Sequence, residues 1–437
     1  MKRFARIFLP LAVGLSVVLG AVGPVAWAQD PVTLSYWAVV PVRSQFDPLY
    51  ARFQELYPDI TLEYRQFQDA AEYNQQLGNA LAAGEGPDMF MVFSNLVNRY
   101  QNFTLPVDER LAAEWGADWQ DLFIPVAIPG ATSREGKIVG VPIGVESQEY
   151  VLYNKALMDE LGITEAPQTY DELKEIVAAA KEAGLVPLAL GARDKWHITG
   201  FFIFIANQFD PEAVYEAEAG TRPWNDPALV DAMNAWKQMF DDGIFQEGAT
   251  GLATYPDARD QYYYSRQAVM FPTGSWHVGS YAMPPNGEKI GTAIENDETH
   301  AFLFPQIGPN PARATASVSW IQSINAAIAP EKVDAAWAWF DFFTKDEGAQ
   351  IFANLLQASP VLEGMEITSL DQLPFESDQE SVRMLIDALA NAQGAMRFQY
   401  PELEEAVGTA LQEVATGQLS PEDALANIQG ISDGIQR

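Results

Sequence analysis

The 437-residue chain contains no cysteine. That absence excludes disulfides, thiolate zinc sites, iron–sulfur clusters and cysteine nucleophiles. It also excludes an N-terminal cysteine carrying lipid. Histidine is nearly absent as well. His197, His277 and His300 show no His-x-x-x-His spacing, so a histidine metal site is not expected, and each reads as an ordinary surface or loop residue. Basic side chains are scarce: 26 Lys and Arg stand against 59 Asp and Glu, a formal charge of −33. Such a surface repels nucleic acid and anionic lipid, and neither is expected as a partner. No sequence period marks a solenoid or propeller. No Walker loop is present, because Gly130 to Lys137 has one residue too many and no Ser or Thr follows the lysine. Beyond the first residues there is no long apolar run.

What is present begins with a leader. Lys2, Arg3 and Arg6 precede an apolar run from Ile7 to Val22, and Ala26-Trp27-Ala28 supplies small residues at a cleavage site. Residues 1–28 therefore read as a secretory signal peptide, the run being short of the roughly 20 residues that span a bilayer. Export across the inner membrane follows, to a periplasmic or extracellular site without a cysteine-linked lipid. Without the three basic leader residues the balance is 23 basic to 59 acidic side chains, or −36. The remaining length favours two domains.

Strand and helix patterns alternate. Val32–Trp37, Ile60–Tyr64 and Asp88–Val92 read as strands. A helix with its cap at Ser44 and another over Ala70–Ala83 fall between them. This β-α-β-α-β order predicts an open, mostly parallel α/β sheet. A second series follows about residue 145. It comprises a strand at Tyr150–Tyr153, a capping box at Thr169 and Glu172, a strand at Leu185–Leu190, and a helix started by Asp226-Pro227. Ser420-Pro421 starts a terminal helix. Trp236, Trp337 and Trp339 lie in helical patterns and read as core. Trp115 and Trp119, four apart, read as one face of a short helix.

Several segments, in order, resemble the family 1 extracellular solute-binding proteins, the group that contains maltose-binding and related carbohydrate-binding proteins. They are Ser35-Tyr36-Trp37, Ala82 to Asp88, Gly136 to Pro142, Tyr153-Asn154-Lys155, Thr169 to Leu173, Gln267 to Met270 with Gly274-Ser275-Trp276, and Ala335 to Phe340. The resemblance runs over nearly the whole mature chain. Two segments depart from it: Ser317 to Trp320, in place of a Gly-rich crossover, and Asp194 to His197.

The resemblance implies a two-lobed periplasmic-binding-protein fold of type II, α/β in class, with several hinge crossovers and a ligand cleft between the lobes. By position, the first lobe is 29–144 plus 320–359 and the second 147–316 plus 361–437. The hinge lies near 144–147, 317–320 and 359–361. It further implies a monomer without cofactor or catalytic residues. That monomer would deliver a small hydrophilic ligand, a mono- or oligosaccharide, to the membrane subunits of an ABC importer.

A sugar site needs flat aromatic faces and a rim of polar groups. Trp276 stands where the family places a stacking aromatic, Trp196 where it borders the site, and Trp320 at a crossover. Trp37 ends a strand, where open α/β sheets bind ligands. Glu146 matches a family acid, and Ser94 and Asn95 match hydroxyl-binding positions. Asp194 and Gln322 are further polar candidates. Phe398, with Tyr400, matches a late aromatic that closes the cleft. The competing readings are a secreted glycoside hydrolase, which needs two carboxylates about 5–10 Å apart, and a binding protein for a polyamine, a glycerol phosphodiester or a peptide.

Overall fold

Residues 31–285 and 287–437 are described by a computed structural model. The leader read at residues 1–28 lies outside them. Strand β1 (Val32–Ala38) turns Leu34, Tyr36 and Ala38 inward, as its alternation requires. It is followed by a helix over Arg43–Leu56 that buries Phe46, Leu49 and Phe53. The helix starts one residue before the expected cap. Val42 is its N-cap, the Gln45 amide oxygen accepts from the Val42 N–H at 3.3 Å, and Ser44 sits inside the first turn. Strand β2 (Ile60–Gln66) runs parallel to β1. The helix Ala70–Ala83 is capped by Asp69, which accepts from the Glu72 N–H at 2.7 Å. It ends at Gly84, whose φ of 74° is the left-handed cap that favours glycine. Strand β3 (Met89–Phe93) then lies parallel on the other side of β1.

The sheet is mixed rather than mostly parallel. Strand β4 (Val141–Asn154) is a single 14-residue strand, buried throughout. Strands β5 (Val186–Leu188) and β6 (Ala268–Gly274) pair in parallel, but β6 and β7 (Thr299–Leu303) run antiparallel to β4. Strand β8 (Thr315–Ile324) runs antiparallel to both β3 and β4. The β-α-β rule operates where a helix carries the chain back over the sheet. It does not govern β8, whose antiparallel partners β3 and β4 lie far from it in sequence.

β4 is common to two hydrophobic cores. One holds Tyr36, Phe46, Phe53, Trp339, Phe342 and Ile143. The other is built around the helix Lys195–Asn207, apolar on nearly every side, with Trp224, Trp236 and Leu403. A smaller cluster with Tyr150, Tyr263 and Phe271 adjoins it. At Val145 three segments lie side by side. Val145 is paired with Val318, and it exchanges backbone hydrogen bonds of 3.0 Å with Ser359 in both directions. The approach is close enough that a Cβ on Gly144 would sit 2.5 Å from the Ala358 methyl, which explains glycine there. The chain does not leave the first half at 361. The Ile124 and Glu363 N–H groups bond to Val361 and Leu122 carbonyls, and Asn354 holds Thr368.

The tryptophans in helical patterns are packed as read: Trp236 and Trp339 are fully buried and Trp337 nearly so. Trp115 and Trp119 do not share a helix. Trp115 ends the helix Asp108–Trp115, Gly116 breaks the chain with φ 102°, and Trp119 opens a separate turn.

Candidate functional site

Three aromatic rings meet where the second half faces the first. Trp196 stands in the first turn of the helix Lys195–Asn207. Its ring lies nearly parallel to that of Tyr255, at 6.3 Å and 10°, and stacks on His197 at 5.1 Å. The Trp276 ring is 5.9 Å away, tilted by 62°. Trp276 belongs to the short helix Ser275–Val278 after β6, yet its side chain packs against the core of the first half. Tyr255 is the hub. Its hydroxyl accepts from the Trp276 indole N–H at 3.0 Å and shares hydrogen bonds with Thr273 Oγ1 at 2.6 Å and His277 Nδ1 at 3.3 Å. The segment carrying Tyr255 is tied down by Asp194, whose carboxylate accepts from the Thr254 N–H at 2.7 Å.

Beside the rings lies a polar floor. β4 contributes Glu146, Gln148 and Glu149, all buried, and the facing segment contributes Arg397. Arg397 donates to Gln148 Oε1 at 2.8 Å and to the Trp196 carbonyl at 2.6 Å, with its guanidinium carbon 5.0 Å from the Trp196 ring centroid. Glu146 accepts from the Ser319 hydroxyl through one oxygen; the other has no partner among the described residues. Glu149 has no partner for either oxygen among them. It sits where the β4–β6 pairing shifts, with a φ of 146° that few non-glycine residues adopt. Burial pushes the Glu146 carboxyl up to about 8 and raises Glu149 well above the usual carboxylate range, against the pull of Arg397. Burial also raises Glu404, which Arg397 and Asn95 oppose.

At the mouth, Asn95 of the first half donates to Glu404 of the second at 3.1 Å. The Arg134 guanidinium carbon stands 4.0 Å from the centroid of the Tyr400 ring. A cavity of about 310 Å³ opens beside them, lined from both halves by Asn95, Asn98, Arg134, Gln399 and Tyr400 among others. A larger groove of about 940 Å³, with Gln120, Phe123, Ile128 and Glu363, lies on the first half alone. It includes neither the clustered rings nor the buried carboxyls, so volume there does not identify the site.

The expected site residues divide into three groups. Trp196, Trp276 and Glu146 belong to the rings and floor, and Asn95 to the mouth. Asp194 reaches the same region through the backbone of Thr254. Ser94 is buried in a turn after β3, and the Trp37 ring is covered by Arg65, whose guanidinium carbon is 4.7 Å from its centroid. Trp320, Gln322 and Phe398 are packed inside the halves. Trp320 lies against Phe352, Gln322 bonds to Thr344, and Phe398 touches Trp224. Tyr255, Gln148, Glu149, Arg397, Glu404 and Arg134 went unread.

Two histidines correct the surface reading. His197 and His277 are buried, and burial lowers both, His197 to about 3. Each is a neutral ring hydrogen-bonded internally, His197 to Thr254 and His277 to Tyr264. Among the described residues no group of three or more His, Cys, Asp or Glu is arranged to hold a metal ion. No helix among them is long and apolar enough to cross a membrane.

Comparison with known proteins points the same way. The model of a family described as bacterial extracellular solute-binding protein matches residues 49–372. An ABC transporter extracellular-binding protein of Pyrococcus horikoshii is 25% identical over 305 residues, 67% of either chain. Among solved structures, a chitin oligosaccharide binding protein superposes with a TM-score of 0.76 at 23% identity, covering 93% of this chain and 99% of the other. Maltose-bound MalE3 of T. maritima gives 0.76 at 20% identity, covering 92% of this chain and all of the other. Likeness at these identities establishes a shared fold.

Proposed function

The chain belongs to the bacterial extracellular solute-binding proteins, and from that premise we propose that it captures a mono- or oligosaccharide between its two halves for an ABC importer. The observation that carries the sugar reading is the ring cluster of Trp196, Tyr255 and Trp276 set beside Arg397 and Glu146. A sugar offers an apolar C–H face and a hydroxyl rim. Aromatic rings cover the first, and a carboxyl oxygen still lacking a partner suits the second. The fold neighbours whose names mention chitin oligosaccharide and maltose support the same ligand class.

In this reading the halves turn about the segments at 144–147, 317–320 and 359–361, which run side by side. The ligand docks on the rings of the second half, and the first half closes over it. Closure is favoured only by the extra contacts that the ligand makes in the shut form. The closed monomer is the form offered to the membrane subunits.

The test is a thermal-shift screen of the mature chain with maltose, chitobiose, raffinose and spermidine, followed by calorimetry. A ligand present at 100 times its Kd stabilises the fold by about 2.7 kcal/mol. Trp276→Ala should weaken sugar binding about tenfold or more, the loss of one stacked ring. A response to spermidine alone moves the protein to the polyamine class. Chemical turnover of a bound oligosaccharide makes it a hydrolase.

A further inference from the structure

Trp276 is held in an unusual way. A tryptophan at a sugar site has two resources: a π face for C–H groups and an indole N–H for a hydroxyl oxygen. Here the N–H is already engaged by Tyr255 at 3.0 Å, within the protein. The ring also lies directly over Gly274. A Cβ built there would fall 2.0 Å from Cζ3, 2.2 Å from Cη2 and 2.4 Å from Cε3. Contacts under 3 Å cannot stand, so only glycine at 274 allows the ring this position.

Tyr255 is fixed in turn. Its hydroxyl touches Thr273 and His277, and His277 passes the chain of hydrogen bonds to Tyr264 at 2.7 Å. Arg259 stands 5.1 Å from the rings of both tyrosines and is paired with Glu288. The network is closed and includes the neutral His277, so its hydrogen bonds persist across ordinary pH.

We infer that Tyr255 is a positioning residue: its hydroxyl, with the bare α-carbon of Gly274, locks the Trp276 indole against the first half and leaves only the ring face for a ligand. Trp276 then selects for an apolar C–H face without reading any hydroxyl through its N–H. This deepens the sugar reading and rests on it for its ligand consequence, but not for the geometry.

The experiment is ¹⁵N-indole NMR on the mature chain, with the Trp276 signal assigned by its loss in Trp276→Phe. In the wild type, the Trp276 indole proton should exchange with solvent at least about tenfold more slowly than a free indole. Tyr255→Phe keeps the ring that stacks on Trp196 and removes only the hydroxyl. It should shift the Trp276 signal and speed its exchange about fivefold. Gly274→Ala, which forces the ring aside, should do the same. Free-indole exchange in the wild type, or an unmoved signal in a folded Tyr255→Phe, overturns the assignment. If Tyr255→Phe does not fold, the wild-type rate and Gly274→Ala decide it. For whichever sugar of maltose, chitobiose and raffinose binds, Tyr255→Phe should raise Kd about fivefold; an unchanged Kd overturns the inferred link to the ligand. If none of the three binds, the sugar reading fails, and the indole signal still decides the role of Tyr255.

Discussion

Replacing Glu146 by glutamine tests whether the floor of the site is as enclosed as its geometry indicates. Glu146 is 4% exposed on β4, with Ser319 bonded to one oxygen and no partner for the other among the described residues. Burial lifts its carboxyl from 4.5 to about 8, outweighing the Ser319 hydrogen bond and the charge of Arg397. Between those two pH values the folded chain keeps a proton that the unfolded chain has released. Stability associated with that proton is complete below about pH 4.5 and drains away as pH rises toward about 8. The slope is about 1.4 kcal/mol per pH unit, so the loss approaches 5 kcal/mol at most, and about 2–3 kcal/mol once water and local relaxation soften it. Glutamine has nearly the same shape, still accepts from Ser319 and does not titrate. Wild type and Glu146→Gln should therefore be about equally stable at pH 5, with the variant ahead by about 2 kcal/mol at pH 8. Glu149 and Glu404 are raised as well, but both remain in each protein and largely cancel in the comparison. Urea denaturation at pH 5, 6, 7 and 8, at constant ionic strength, reads the difference directly. Parallel stability curves would show that Glu146 is ionised and solvated, and the enclosed floor would be wrong.

Two further substitutions separate the scaffold from the site. Trp236→Ala removes a fully buried ring whose indole donates to the Leu411 carbonyl at 2.9 Å; it should cost about 3–5 kcal/mol in denaturant unfolding while leaving ligand affinity intact well below the transition. Gly200→Ala places a methyl 2.7 Å from Gln148 Oε1 and 2.9 Å from Arg397 Nη1. Arg397 must move, so calorimetry should show lower affinity together with about 1–3 kcal/mol less stability, and wild-type values for both would mean that Arg397 does not organise the floor.

Features written locally were legible in the sequence. Thr169 and Glu172 form the reciprocal cap, with bonds of 3.2 and 3.0 Å, and Asp226 and Ser420 cap the helices that Pro227 and Pro421 open. The three opening strands were readable because each is a short run of β-formers bounded by helical periodicity. Strand β4 was only half readable. Its first part contains Gly144 and the polar run Glu146 to Glu149, a poor strand taken alone, and it becomes a strand by pairing with β8 about 170 residues away in sequence. The site suffered most from this limitation. Tyr255 lies in an irregular segment and Arg397 in a loop, and neither has a neighbour in sequence that announces a role. Trp276 was singled out by family position. Nothing local indicated that its N–H would be spent on Tyr255.

The charge of the floor bears on which ligand the cleft suits. The chain as a whole is strongly acidic, which by itself would favour a polyamine. The floor departs from that average. Its cation is Arg397, whose charged form burial opposes and the neighbouring Glu404 supports. With Glu146 raised to about 8, its carboxyl holds a proton at neutral pH, and burial shifts Glu149 in the same direction, so the floor is less negative than its carboxyl count implies. A polyamine would have to expel that proton and share the space with a guanidinium. A neutral polyol requires neither change, since a protonated carboxyl can donate to one hydroxyl and accept from another. The acidity of the exterior therefore says more about solubility than about the guest, and the local chemistry favours an uncharged, hydroxyl-rich ligand stacked on Trp196 and Trp276.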